Sequence, residues 1–239
     1  MNNNLTKPYI VILAAGSSKR FKTDKMFSLL GGMPLFLHSV KTFLTETAHL
    51  VLVIPPGCKK KYAETCEQYG VNPSLITFID GGSTRTASVS NALAYLRTVS
   101  SSSHSLLQLV AIHDAARPFA TVTMLHHLCD IAQRVGGAAP GHRAVDTLLL
   151  ADSHGNVQNA IPRDNVWHVS TPQVFVFDKI AKAYTSLIDS QNGKVVFSDD
   201  TQVFIANGGS VRLVEEDSVN LKITYPEDLP KAERFLAGC

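Results

Sequence analysis

The feature that most constrains the fold is the alternation of short apolar runs with loops and helical patterns. The apolar runs lie within residues 9–15, 49–57, 74–82 and 106–114. Continuous apolar runs are typical of strands that are buried on both faces, as in a parallel sheet. A loop and a helical pattern follow each run, and the unit recurs about every 30 residues, which is the length of a strand–helix–strand unit. The alternation predicts an open, mostly parallel α/β sheet with right-handed crossovers.

The alternation is interrupted once along the chain. It breaks near Gly136, and residues 141–170 contain DTLLLAD and VQNAIP on either side of the turn signal HGN. Two such segments around a turn predict a β-hairpin. The α/β pattern resumes at about residue 178 and continues to the C-terminus. We therefore predict one domain, residues 1–239, with an inserted β-hairpin arm at 141–170.

The composition and the first apolar run exclude several classes of protein. The chain has 239 residues with 22 Lys and Arg against 20 Asp and Glu, which excludes a dedicated polybasic nucleic-acid binder. The first apolar run is too short to span a membrane, and it lacks the basic leader of a signal peptide. The four cysteines form no C-x-x-C pair, so we expect free thiols in a reducing compartment. These observations predict a soluble, cytoplasmic protein with no membrane and no nucleic-acid partner.

The loop after the first predicted strand, LAAGSSKRFKTDK, is dense in positive charge. Its small residues, Ala14, Ala15 and Gly16, allow a ligand to approach the backbone. Four cations lie within seven residues, at Lys19, Arg20, Lys22 and Lys25. Such a loop suits a polyphosphate, although neither the Walker A pattern nor the dinucleotide fingerprint is present. The alternative interpretation is a solvated basic loop.

A glycine turn follows the third predicted strand, in DGGSTRTAS at residues 80–88. Gly81 and Gly82 allow close backbone approach, and Ser83 or Thr84 can cap the helix that follows. Ser88 lies one turn into that helix. The alternative is a plain strand-to-helix turn with no ligand.

The fourth predicted strand ends in HDAARPF, residues 113–119. Asp114 stands in a good position for a Mg²⁺ ligand, because Mg²⁺ prefers one or two carboxylates together with substrate phosphates. Arg117 can pair with a phosphate in a bidentate manner. A helix cap is the alternative role for Asp114. His113 is expected to be structural, because a hard cation prefers oxygen ligands.

Two cations further along the chain extend this set. Lys222 lies between Leu221 and Ile223, so on a strand it faces the opposite side and needs an anionic partner. Arg163, in the predicted arm, can play a similar part, and a simple salt bridge is the alternative for both. The loops thus supply cations, small residues and one carboxylate, without a G-x-S-x-G motif or a clear Ser-His-Asp order. Such a set favours direct phosphoryl or nucleotidyl transfer.

The order of these motifs resembles one enzyme family, the 2-C-methyl-D-erythritol 4-phosphate cytidylyltransferases. The matching segments run from residue 10 to about 233 and are LAAGSSKR, DGGSTRTASV, HDAARPF, VDTL, STPQVF, SDDTQ and NLKITYPEDL. The resemblance implies a Rossmann-like α/β domain with helices on both faces of the sheet. It also implies a β-arm that interlocks two subunits into a homodimer. The implied reaction joins CTP and a polyol phosphate, methylerythritol phosphate, to give the CDP-alcohol and pyrophosphate with Mg²⁺.

The resemblance also implies roles for individual residues. Contacts to the cytidine part of CTP are implied for Ala14, Ala15, Gly16, Gly82, Ser83 and Ser88. Arg20 and Lys25 would stabilise the charge that develops on the α-phosphate, and Asp114 would bind Mg²⁺. The residues that would position the methylerythritol phosphate are Arg163 and Lys222, with Arg117 and Thr147 nearby, and the partner subunit's arm would supply some of them.

The first loop departs from the family pattern in two ways. Ser18 stands where the family usually has a second glycine, and the stretch before the second catalytic lysine is two residues shorter. The usual Pro-Lys-Gln reads Asp24-Lys25-Met26 here. We assign the catalytic lysine to Lys25, and Lys22 is the competing assignment.

Two other functions compete with this interpretation. Ribitol-5-phosphate cytidylyltransferases share the fold and the CTP chemistry, but they tend to read LAGG and HDAVRP, where this chain reads LAAG and HDAARP. The second alternative is a non-catalytic nucleotide-binding protein with an altered first loop. Arg20, Asp114, Arg163 and Lys222 are all present, which argues against it.

Overall fold

The structure, a computed structural model, describes residues 7–16, 21, 24–100, 108–190, 197–216 and 219–238. The strands within these residues are β1 (Tyr9–Leu13), β2 (Leu29–Leu30), β3 (Met33–Pro34), β4 (His49–Ile54), β5 (Ile76–Asp80), β6 (Leu109–Asp114), β7 (Gly137–Arg143), β8 (Leu148–Ala151), β9 (Val157–Ile161), β10 (Trp167–Val169), β11 (Gln173–Val176) and β12 (Val211–Glu215). The α-helices are α1 (Leu35–Phe43), α2 (Lys59–Gln68), α3 (Arg85–Ser100), α4 (Val122–Val135), α5 (Phe177–Ser190), α6 (Asp200–Ala206) and α7 (Asp228–Leu236). In this part of the chain, no helix is both long and apolar enough to cross a membrane.

One half of the main sheet is parallel, as the apolar runs predict. Strands β6, β1, β4 and β5 lie side by side in that order. Successive residues of β1 face opposite sides, so Ile12 packs with α1, α2 and α4 while Val11 packs with α3 and α5. Because both faces are covered by helices, the strand is apolar throughout. The predicted α/β fold with helices on both faces is confirmed.

The other half of the sheet differs from the sequence prediction. Residues 137–143, where the predicted alternation ends, form β7, which pairs antiparallel with β10 and β11 and parallel with β12. A Cβ added at Gly141 would lie 2.5 Å from the carbonyl oxygen of His168. This strand therefore needs glycine where its neighbour approaches closely, and glycine obscures the strand pattern in the sequence. Conversely, residues 220–224, the predicted strand around Lys222, lie in no strand of the described chain.

The predicted hairpin is present as a two-stranded sheet formed by β8 and β9. The predicted range of 141–170 is wider than the projecting part, because residues 141–143 pair with β10 inside the main sheet. The HGN turn is held by Asp152, whose carboxylate accepts hydrogen bonds from the backbone N–H groups of His154 and Asn156, both at 2.9 Å. Leu149 and Leu150, on opposite faces of the hairpin, are 54% and 51% exposed. The arm therefore presents apolar side chains outward on both faces.

The cysteines of the described residues agree with the prediction of free thiols. Cys58, Cys66 and Cys129 form no disulfide, and Cys239 lies outside the described residues. Burial raises the pKa of Cys66 to about 11 and that of Cys129 to about 12. Both buried thiols are therefore protonated and unreactive near neutral pH.

The loops at the carboxyl ends of β1 and β5 pack against each other. The backbone N–H of Gly81 donates a hydrogen bond of 2.8 Å to the carbonyl of Ile54. A Cβ added at Gly81 would overlap the Cβ of Ala15, whereas one added at Gly16 would meet nothing within 4 Å. The two glycines therefore serve different purposes, since only Gly81 is required by packing within the protein.

The variants Gly81→Ala and Gly16→Ala are expected to separate these purposes. Gly81→Ala should destabilise the fold by about 1–3 kcal/mol, the usual cost of overpacking. Gly16→Ala should leave the stability unchanged or raise it by about 0.4–1 kcal/mol, because alanine reduces the entropy of the unfolded chain. Urea denaturation of both variants measures the difference. Equal stabilities would show that the contact between Gly81 and Ala15 relaxes without cost.

Candidate active site

A cavity of about 490 Å³ lies where the loops after β1, β5 and β6 meet. Parallel strands bring these loops together because their carboxyl ends lie at one edge of the sheet, which is where ligands bind in open α/β folds. The predicted site residues that line the cavity are Ala15, Gly16, Lys25, Gly82, Ser83, Ser88, Asp114 and Lys222. The structure thus brings most of the predicted nucleotide-binding residues to one place.

Four predicted residues of the described chain do not line this cavity, and the position of a fifth, Arg20, is not described. Ala14 is buried, and its backbone N–H donates to the carbonyl of the neighbouring strand β4. Arg163 and Thr147 are exposed on the arm, where the guanidinium of Arg163 donates to the carbonyl of residue 145 at 2.6 Å. Arg117 lines an adjoining cavity. Arg20, like the competing Lys22, lies outside the described residues.

Lys25 is anchored beside the segment that carries Lys222. It begins a short 3-10 turn, Lys25–Phe27, in which the side chain of Met26 is buried. Its Nζ donates a hydrogen bond of 3.2 Å to the carbonyl of Ile223. This contact joins the first loop to the C-terminal part of the chain and holds the ammonium at the cavity wall.

The turn after β5 is closed by hydrogen bonds of its own. Thr84 caps α3, since its Oγ1 accepts from the backbone N–H of Ala87 at 3.0 Å, as one of the two predicted caps. The hydroxyl of Ser88 accepts from the N–H of Gly82 at 3.1 Å and donates to the carbonyl of Thr84 at 2.9 Å. The turn is therefore preformed, with Gly82 and the exposed Ser83 facing the cavity.

An ionic cluster forms one wall of the cavity. The carboxylate of Asp114 accepts a hydrogen bond from Lys222 Nζ at 2.7 Å and another from Arg85 Nε at 3.2 Å. The guanidinium of Arg85 also donates both Nη groups to the carboxylate of Asp200, at 3.0 and 2.7 Å. Although its segment is not a strand, Lys222 therefore has the anionic partner that the sequence demanded.

The cluster determines the charge state of its members. Burial alone would raise the pKa of Asp114, but the positive charges of Arg85 and Lys222 outweigh it and hold the pKa well below its usual range. Burial acts to lower the pKa of Arg85, and the carboxylates of Asp200 and Asp114 more than reverse this. Asp114 is therefore ionised at neutral pH, which a cation ligand requires.

A buried network behind the cavity orients the backbone at Asp114. The N–H of Asp114 donates to Thr171 Oγ1 at 3.1 Å, and that hydroxyl lies 3.0 Å from His113 Nδ1. The other ring nitrogen of His113 lies 3.1 Å from both Ser39 Oγ and the carbonyl of Arg117. Burial lowers the pKa of His113 to about 4, so the ring is neutral. His113 has the structural position that the sequence predicts.

A second cavity of about 410 Å³ adjoins the first. Arg85, Asp114 and Lys222 line both cavities, so the ionic cluster forms their boundary. The other residues of the second cavity are Arg117, Trp167, His168, Val169, Ser170, Thr171, Gln173, Ser198, Asp199 and Gln202. Ligands in the two adjoining cavities could therefore both contact the same cluster.

Two members of the cluster, Arg85 and Asp200, were not predicted as site residues from the sequence. Arg85 lies inside the motif DGGSTRTAS, but the prediction gave it no role, and Asp200 lies in SDDTQ, which served only as a matching segment. The sequence contained one signal for Asp200. Two acids stand side by side at the start of a predicted helix, where a single acid is enough to cap the helix. Asp199 is that cap, accepting from Gln202 N at 3.1 Å, and this leaves Asp200 for another function.

The donor set of the cavity fits a magnesium ion that arrives with a nucleotide. Asp114 supplies one ionised carboxylate at the cavity wall. No group of three or more His, Cys, Asp or Glu side chains in the described residues could hold a metal ion. Mg²⁺ commonly takes one or two carboxylates and completes its shell with substrate phosphates and water. The residues present therefore suit a shared site and not a cage built by the protein alone.

Comparisons with known proteins agree with this geometry. The family model described as 2-C-methyl-D-erythritol 4-phosphate cytidylyltransferase matches residues 9–238. A curated protein of that name from Geobacillus thermodenitrificans is 35% identical over 232 residues, which cover 95% of this chain and 96% of the relative. Another, from Clostridium acetobutylicum, is 30% identical and covers 95% of this chain and 96% of the relative.

Solved structures with related names have the same fold. The 4-diphosphocytidyl-2C-methyl-D-erythritol synthase of Anaerococcus prevotii superimposes with a TM-score of 0.79 at 25% identity, covering 97% of this chain and 96% of that one. The 2-C-methyl-D-erythritol 4-phosphate cytidylyltransferase of Thermus thermophilus gives a TM-score of 0.72 at 29% identity, covering 95% and 98%. A match along nearly the whole chain, in sequence and in fold, means that this protein belongs to the 2-C-methyl-D-erythritol 4-phosphate cytidylyltransferase family of nucleotidyltransferases.

Proposed function

We propose that this protein transfers the cytidylyl group of CTP to 2-C-methyl-D-erythritol 4-phosphate and releases pyrophosphate. The observation that carries the proposal is the cluster of Asp114, Lys222 and Arg85 at the boundary of two cavities. A reaction that joins two phosphorylated substrates needs such a place, where both phosphates meet the same cations. Family membership supplies the identity of the two substrates.

CTP would occupy the first cavity in this proposal. Its cytidine part would lie against the small residues of the first loop and the preformed turn after β5, namely Ala15, Gly16, Gly82, Ser83 and Ser88. The triphosphate would then extend toward Lys25, with Arg20 as the second cation of the loop. The open space beside Gly16 supports this placement, since a ligand can approach the backbone there.

The polyol phosphate would occupy the second cavity. Lys222, Arg117 and Arg85 are cations that this chain places at the second cavity, and Arg163 and Thr147 would come from the arm of a second protomer. The exposure of both arm residues supports this arrangement. A homodimer joined through the arms would thus complete each site.

The chemistry would be a direct in-line displacement. An oxygen of the polyol phosphate attacks the α-phosphorus of CTP, and the bond from that phosphorus to the oxygen bridging to the β-phosphate breaks, so pyrophosphate leaves. The attacking phosphate is largely ionised at neutral pH, so it needs no general base. Arg20 and Lys25 would stabilise the charge that develops at the α-phosphate. Mg²⁺, held by Asp114 and the phosphates, would neutralise further charge on the triphosphate.

Pyrophosphate release in the presence of CTP and Mg²⁺ tests the proposal. We expect release with methylerythritol phosphate and little with ribitol 5-phosphate. Preference for ribitol 5-phosphate would assign the chain to that alternative activity, and CTP binding without turnover would make it a non-catalytic nucleotide-binding protein. Isolation of a cytidylyl-enzyme adduct after incubation with labelled CTP alone would contradict direct displacement.

The variant Asp114→Asn tests the magnesium ligand. It keeps the size of the side chain and removes its charge, so we expect kcat to fall by about 10²-fold or more, as for loss of one electrostatic stabiliser. Asp80→Asn is the matched control, because Asp80 ends another parallel strand of the same sheet, β5, and is exposed. Turnover of Asp114→Asn close to that of the control would refute the assignment.

The variants Lys25→Ala and Lys22→Ala test which lysine of the first loop is catalytic. Lys25 lines the cavity, so its loss should lower kcat by about 10²–10³-fold with little change in CTP affinity. Lys22→Ala should cost less than about tenfold, as expected for an exposed charge near a polyphosphate. If steady-state kinetics show Lys22→Ala as the more damaging change, the assignment is reversed.

Deletion of residues 144–160 tests the arm. An isolated two-stranded hairpin is marginal in water, and its exposed leucines need a partner surface. We therefore expect monomers without activity in sedimentation and turnover assays. Leu75→Ser, which removes an exposed leucine outside the arm, should leave both properties unchanged. A fully active monomer after the deletion would contradict the role of the arm.

A further inference from the structure

Asp200 is a completely buried carboxylate that the proposed reaction does not use directly. Its side chain is 0% exposed at the start of α6. Each carboxylate oxygen accepts a hydrogen bond from one Nη group of Arg85. Oδ1 also accepts a hydrogen bond of 2.5 Å from the hydroxyl of Tyr184. Burying a charge is costly unless it is paired and hydrogen-bonded. A buried carboxylate with three hydrogen bonds at this position therefore requires a structural or functional reason.

Arg85 connects this buried carboxylate to the cavity. Two edges of its guanidinium bind acids, with the Nη groups on Asp200 and Nε on Asp114 at 3.2 Å. Asp200 and Tyr184 lie on α6 and α5, while Arg85 begins α3. Three helices thus hold one guanidinium in place, and that guanidinium holds the carboxylate of Asp114.

The charges of the cluster balance only when Asp200 is counted. Without Asp200, the single negative charge of Asp114 would face the positive charges of Arg85 and Lys222. With Asp200, two negative charges face two positive ones. When Lys222 turns from Asp114 to a substrate phosphate, the remaining group of Asp114, Arg85 and Asp200 carries one net negative charge, which favours a cation beside Asp114.

We infer that Asp200 is a positioning residue which, through Arg85, keeps Asp114 oriented and negative enough to share a divalent cation with the triphosphate of CTP. This inference rests on the proposed function and adds to it a charge-compensating residue that does not touch the substrate. The inference predicts different effects on the binding of the cation and on the binding of the nucleotide anion. Removing the charge of Asp200 weakens binding of the cation but does not weaken binding of the nucleotide anion.

The variant Asp200→Asn tests these two effects. Its affinity for CTP is measured by calorimetric titration without the polyol phosphate. In the presence of Mg²⁺, we expect CTP affinity to fall by about 10–100-fold, the usual effect of losing a partner of a metal ligand. In the presence of EDTA, CTP affinity should stay the same or rise, because the site has gained one unit of positive charge. Loss of folded structure would lower both affinities together. Asp178→Asn, an exposed change on α5, is the matched control and should alter neither.

The double variant Arg85→Gln with Asp200→Asn provides a second test and a safeguard against misfolding of the single variant. It removes one charge of each sign, so the charge balance at Asp114 returns although the contact of the Arg85 guanidinium with Asp114 is lost. We therefore expect the Mg²⁺-dependent affinity to recover in part, to a value between those of Asp200→Asn and wild type. A double variant whose Mg²⁺-dependent CTP affinity is no higher than that of Asp200→Asn would overturn the inference. An Asp200→Asn protein that binds CTP like wild type under both conditions would also overturn it.

A wild-type protein that turns over none of the polyol phosphates would instead contradict the proposed function. The titrations would still decide the inference about Asp200.

Discussion

The ion pairs of Asp114 bring together parts of the chain that are distant in sequence. Arg85 is separated from it by 29 residues and Lys222 by 108, yet all three meet at the edge where the parallel strands end. The two cations are held differently. Arg85 is fixed by the fork to Asp200, whereas the side chain of Lys222 is 44% exposed and can exchange its carboxylate for a phosphate. The cluster therefore combines a largely buried pair that sets its geometry with a partly exposed cation that, under the proposed function, would bind a substrate phosphate.

The sequence predicts well the features that arise from local pattern. Strands such as β1 and β4 are buried on both faces, so their apolar runs are unmistakable. The predicted residues Gly82 and Asp114 lie where strands of the same parallel set end, Gly82 just after β5 and Asp114 at the end of β6. It predicts poorly the features that arise from packing between distant segments. Strand β7 contains GAAPGHR, whose glycines are required by neighbouring chain and carry no strand signal of their own. Pairing of Arg85 with Asp200 is invisible for the same reason, since no local pattern reports a contact across 115 residues.

Small residues in the candidate site have two physical origins that a motif does not distinguish. Gly81 and Gly82 both follow β5, and both are required within the protein, because a Cβ on either would overlap an alanine side chain. Gly16 has open space beside it. Among these three glycines, Gly16 is the one for which the described residues supply no packing reason, and the proposed function would use the space beside it for the nucleotide. The hydroxyl of Ser88 closes the turn by hydrogen bonds within the protein, so the surface that the proposal assigns to the nucleotide would be preorganised.

The arm relates the second cavity to the state of assembly. Arg163 and Thr147 lie on a hairpin whose leucines are exposed on both faces, and they do not line the cavities of their own chain. A hairpin with these exposures gains stability when a second surface covers it, and the same contact would carry its cations to a neighbouring site. The first cavity, to which the proposal assigns CTP, is by contrast formed by loops of a single chain that pack on one another. Under the proposed function, nucleotide binding would therefore depend on the fold of one protomer, whereas positioning of the phosphate acceptor would depend on the dimer.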